Sequence, residues 1–203
     1  MAGESDVVLA RALKRTASAL ADEDREAIGT EDLVGALVLA LRPLVGRLSM
    51  AIRDDRVRLA GWPEPTAPVD IAVRGRIAGR QRAVVECSVW DEDEHRRRAV
   101  RSACLVAAAT RGGVLDGYLV AAAPADAWAG DGPGVAVFDD GERATMPLLR
   151  EAGVERVAGE GPARVPGRLR SVAVARVPID RRGRGWELRA ARVAPAGGDL
   201  EVG

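Results

Sequence analysis

Asp70 and Glu86 stand at positions in this 203-residue chain where two acids could share one job. Asp70 lies in the run VDIAVRG (69–75) and Glu86 in RAVVECSVW (82–90), and both read as strands. Side chains alternate between the faces of a strand. Val69, Ile71 and Val73 therefore project to one side with Ala83, Val85, Cys87 and Val89. Asp70, Ala72 and Arg74 share the other side with Arg82, Val84, Glu86 and Ser88. The connection carries glycine, as hairpins do, and a turn centred near Ala78 sets Asp70 almost directly opposite Glu86. Two carboxylates facing each other across strands repel. A divalent cation reverses the sign, because hard ions such as magnesium seek carboxylate oxygens. The pair is either an accident of register or a metal site.

The elements that must position these acids come next. Residues 6–21 have apolar spacing close to a helical period, with basic residues on the other face. After the acidic break at 22–26 and Gly29, Thr30 reads as an N-cap, with Glu31 and Asp32 in the first turn. This predicts a second helix from Glu31 to about Ile52, kinked at Pro43. Val57 and Leu59 alternate with arginines as a short strand, and the proline-rich segment 61–68 reads as a loop. Residues 91–111 are the clearest helix, led by acids and stopped by Gly112 and Gly113. Residues 117–123 form an apolar run typical of a central strand. Further along, 135–138 and 154–158 read as strands, 145–152 as a helix and 159–167 as a loop. Two last strands, 171–179 and 186–194, flank the turn DRRGRG, and the tail reads as frayed. The organisation is an N-terminal helix (1–28), an α/β core (29–158) and a C-terminal β-hairpin extension with tail (159–203).

In this order of elements the chain resembles the PD-(D/E)xK nuclease superfamily. Its core of helix, three-stranded meander, helix and strand is similar to residues 31–123, and a restriction-endonuclease-like fold is what the resemblance implies. Pro68-Val69-Asp70 takes the place of the first acid, and Glu86-Cys87-Ser88 that of the (D/E)xK tripeptide. The resemblance implies magnesium held by Asp70, Glu86 and the backbone carbonyl of Cys87, with Glu31 completing the site. It further implies a metal-bound water attacking a phosphodiester of nucleic acid. Ser88 stands where the family has a lysine, and among His95, Arg97, Arg98 and Arg101 the arginines Arg97 and Arg101 are candidates to supply the missing cation. A guanidinium stabilises phosphate charge but does not readily give up a proton. Two other readings compete: a non-catalytic scaffold or interaction module of the same fold, and a Rossmann-like small-ligand domain. The second lacks a glycine-rich turn after an early strand.

Composition narrows the classes further. Hydrophobic residues are 47% and charged residues 30%, as in a globular domain long enough for one well-buried core. Aromatics are only 3%, too few for an extended base-stacking platform. Thirty basic and thirty acidic residues cancel, so no global field draws the chain to nucleic acid or a membrane. The arginines at 96–101 read as a solvated face paired with Glu92 and Glu94, and His95 as a surface residue. Cys87 and Cys104 form no disulfide framework and read as small core residues. No apolar leader or bilayer-length run is evident, which points to a soluble, cytoplasmic protein by elimination. Oligomeric state has no sequence signal.

Overall fold

Side-chain alternation along the strands decides the layering of this α/β protein. The computed structural model describes residues 3–22, 28–46, 48–53, 55–75, 81–90, 93–158, 161–181 and 184–202, with the side chains of 81, 93–96, 181 and 184 left aside. Two helices open the chain, α1 (Glu4–Asp22) and α2 (Thr30–Leu41). Then come β1 (Ser49–Ile52), β2 (Arg56–Arg58), β3 (Thr66–Pro68), β4 (Ile71–Arg74) and β5 (Gln81–Val89). Helix α3 (Asp93–Arg111) leads to β6 (Asp116–Pro124). The chain ends with α4 (Pro133–Ala136), β7 (Gly141–Ala144), α5 (Thr145–Glu151), β8 (Ala163–Arg181) and β9 (Arg184–Val202).

Seven strands form one mixed sheet in the order β1-β4-β5-β6-β9-β8-β7, and β2 pairs with β3 apart from it. Every neighbour in the large sheet is antiparallel except β5 and β6, which run parallel. A parallel pair needs a crossover, and α3 supplies it. Along β6, Tyr118, Val120 and Ala122 enter a core with α1 and α2, whereas Leu119, Ala121 and Ala123 enter a second core with α3. Both faces of β6 are thus covered, so the run is apolar throughout. Helix α3 lies close over the sheet at Gly117, where a Cβ would collide with Val106 and press on Thr110. Gly117→Ala is expected to destabilise by about 2 kcal/mol through overpacking and to lower Tm by about 5 °C, as read by thermal unfolding.

Several elements differ from the sequence expectation. Helix α2 stops at Leu41 rather than running to Ile52, and its N-cap is Gly29, whose N–H reaches Asp32 at 2.9 Å. Pro43 removes a helical donor, and Gly46 turns the chain at a φ of +58°. Residues 49–52 are then free to form β1 on the edge beside β4. Strand β1, not 57–59, is the first of the three antiparallel strands, and the expected loop 61–68 contributes β3. Residues 135–138 fold partly as α4, started by Pro133 at its first turn, rather than as a strand. Residues 154–158 form no strand. The expected loop 159–167 and the expected frayed tail mostly enter β8 and β9, each 19 residues long. Strand β9 pairs with β6 in the middle of the sheet, so the C-terminal hairpin completes the core rather than extending it. The hairpin turn at 76–80, most of the acidic break at 22–26, residues 182–183 of the DRRGRG turn, and Asp91 with Glu92 lie outside the described residues. No described helix is long and apolar enough to cross a membrane.

Candidate functional site

Strands β4 and β5 pair with Ile71 opposite Val85 and Ala72 opposite Val84, a register that brings Asp70 beside Glu86. Asp70 precedes β4 and is buried. Its Oδ2 accepts the Cys87 N–H at 2.8 Å, and its own N–H donates to Glu86 Oε1 at 3.3 Å. Glu86 Oε2 accepts the Ser102 hydroxyl at 3.3 Å from α3. Burial pushes the Glu86 carboxyl up to about 7, and the charge of Asp70 adds to the shift.

A cation is already present. Arg53, in the loop after β1, lies with Nε 3.5 Å from Asp70 Oδ1 and Nη1 2.8 Å from Glu31 Oε1. Glu31 thus comes near the pair only through Arg53, and its own side chain is 85% exposed. These residues do not fit a magnesium ion. Each carboxylate oxygen of Asp70 and Glu86 already faces a hydrogen-bond donor or the guanidinium, and the third acid is turned onto Arg53. Among the described residues, no group of three or more His, Cys, Asp or Glu converges as a metal site.

Ser88 is buried, and its Oγ accepts the Trp90 indole N–H at 3.1 Å. Trp90 packs against Trp128 and Phe138, with ring centroids 4.2 and 5.5 Å away. Ser88 is therefore held by the aromatic cluster and lies outside the cavity described next. The side chain of His95 is outside the described residues.

Arg97 and Arg101 have a different setting. Helical spacing places Arg97, Arg98, Arg101, Ser102 and Leu105 along one stripe of α3, opposite the buried Val100, Ala103, Cys104 and Ala107. That stripe forms one wall of a cavity of about 730 Å³, whose other walls are Trp62 and residues 153–158, including Glu155 and Arg156. Among the described residues that line it, four carry a guanidinium and one a carboxylate. None of the four arginines makes an ion pair with a described residue. By contrast, Arg168 and Arg170 on β8 are paired with Glu142, and Arg176 with Asp139. Ser102 links the two features, lining the cavity and donating to Glu86.

Sequence reasoning singled out Asp70, Glu86, Glu31, Arg97 and Arg101, and considered Arg98. It missed Arg53, Ser102, Arg156 and Trp62. Ser102 and Arg98 were accessible from the helical spacing of α3. Arg53 carried no signal, because it fell just past the end of an expected helix, before the acidic Asp54 and Asp55. Together, fold and site define a mixed-sheet α/β protein with a basic cavity beside a pair of acids, Asp70 buried and Glu86 half-buried. No protein-family model, curated protein or solved structure matches the chain.

Proposed function

We propose that this protein binds the phosphate backbone of nucleic acid in the arginine-lined cavity without cleaving it. The observation that carries this reading is the set Arg97, Arg98, Arg101 and Arg156 around one cavity with no ion-pair partner among the described residues. Guanidinium groups suit phosphate because their planar forks donate two parallel hydrogen bonds to its oxygens. A cluster with no ion-pair partner among the described residues keeps that capacity for a ligand. The cavity falls within the size range of ligand sites. The resemblance to the nuclease superfamily supports nucleic acid as the source of the phosphate. The order α2, three antiparallel strands (β1, β4, β5), α3 and β6 is similar to that family's core. Cleavage is left out because the acid pair does not fit magnesium and no lysine follows Glu86.

The test is fluorescence anisotropy with a labelled oligonucleotide of about 20 nucleotides, single-stranded and duplex, over a range of salt. Four phosphate contacts are expected to give a slope of log K against log salt of about −3 for the single strand and about −3.6 for the duplex. Incubation with magnesium or manganese is expected to leave the oligonucleotide intact. Salt-independent or absent binding at low salt would overturn the reading. Cleavage that disappears in Asp70→Asn would overturn its non-cleaving part.

A further inference from the structure

We infer that Arg53 is the built-in cation of the acid pair, its guanidinium standing where a divalent ion would otherwise be needed. Three observations converge on it. The guanidinium lies against both Glu31 and Asp70, two of the three acids that the sequence resemblance assigns to a metal. The backbone N–H of Arg53 also donates to the Asp70 carbonyl at 3.1 Å, so the residue is fixed to the segment it neutralises. Third, Arg53 is the one described non-glycine residue with a positive φ, +54°. Glycine is the ordinary occupant of that conformation, and a strained side chain persists where its surroundings hold it.

Physical necessity gives the guanidinium a task. Asp70 is buried, with the half-buried Glu86 beside it, and burying carboxylate charge without a partner is unfavourable. The Cys87 N–H serves one Asp70 oxygen. Arg53 serves the other, and it does so permanently, with no dependence on metal concentration. Arg97 and Arg101 take no part, so metal response and oligonucleotide binding are read independently of each other.

The left-handed backbone makes Arg53→Gly a sharp test, since glycine relieves strain while removing the charge. Tm is measured for the full chain with about 5 mM MnCl2 or MgCl2 against NaCl of equal ionic strength. The wild type is expected to shift by less than about 1 °C with either metal. Arg53→Gly is expected to lose about 4 °C despite its relaxed backbone, and to regain at least half of that with manganese. Adding Asp70→Asn to Arg53→Gly should abolish the recovery. Where Arg53→Gly does not fold, Arg53→Gln is read for the same fall and recovery. Arg53→Lys, which keeps the charge, should hold the wild-type Tm within about 2 °C and ignore manganese. A glycine variant as stable as the wild type overturns the inference. So does a fall without manganese recovery, and so does a wild type that itself gains Tm with metal through Asp70.

Discussion

Replacing Arg97 and Arg101 together by alanine is expected to weaken oligonucleotide binding about 100-fold at low salt and to reduce the salt slope by about two. The magnitude follows from two charge-assisted contacts of about 1.5 kcal/mol each, with 1.4 kcal/mol per tenfold in affinity. Loss of two phosphate contacts releases two fewer sets of counterions, which is why the slope changes along with the affinity. Both residues are exposed, so stability should stay within about 0.5 kcal/mol of the wild type. Two comparisons make the result specific to the cavity. Arg168→Ala with Arg170→Ala also removes two positive charges, but those charges are compensated by Glu142, and binding should change less than about threefold. Arg97→Lys with Arg101→Lys keeps the charge and loses the fork. Its affinity should fall between wild type and the alanine pair while its salt slope stays close to wild type. Equal losses in the cavity and β8 variants would mean that only overall charge matters.

The cavity and the acid pair were legible in the sequence to different degrees, and the reasons are physical. The register of β4 on β5 could be read because strand parity has a period of two and one face of each strand is apolar. A one-residue slip would bury Glu86 with α1 and α2, so the pattern itself excludes it. Helix α3 was legible from its acidic start, its Ala-rich second half and the paired glycines after Arg111. Strand β1 was not. The run around Leu44, Val45 and Leu48 keeps a helical spacing, and only the free edge of β4 makes a strand of residues 49–52. The long β8 and β9 were cut short for a related reason. Pro166, Gly167, Pro195 and Gly197 read as breakers, yet the ladder absorbs an irregularity between Pro166 and Arg168. The basic cavity needed tertiary structure as well. Residues 97–101 are local, but Arg156 and Trp62 arrive from distant segments, and no spacing rule joins them.

Stability is expected to fall by about 3 kcal/mol between pH 4.5 and pH 8 because of Glu86 alone. Its carboxyl is pushed from 4.5 up to about 7, first by burial and then by the charge of Asp70. In the unfolded chain the same group titrates near its ordinary value. Between those two values the folded state holds a proton that the unfolded state has released. Stability therefore decreases as pH rises through this window, and it levels off above the folded value. The contribution is complete below about 4.5 and gone above about 7. A shift of about 2.5 units at 1.36 kcal/mol each gives the magnitude. Glu86→Gln keeps the shape and remains neutral at every pH, and it still offers an acceptor to the Ser102 hydroxyl or the Asp70 N–H. Thermal unfolding should then show the wild type losing about 8 °C from pH 5 to pH 8 relative to this variant, and the variant should be the more stable protein at pH 8. Arg98 lies close enough to oppose the shift, so Arg98→Ala should move the transition to higher pH. A wild type and a Glu86→Gln variant with parallel pH profiles would show that the carboxyl titrates alike in both states. Below about pH 7, a proton on Glu86 leaves Arg53 only Asp70 and the exposed Glu31 to balance.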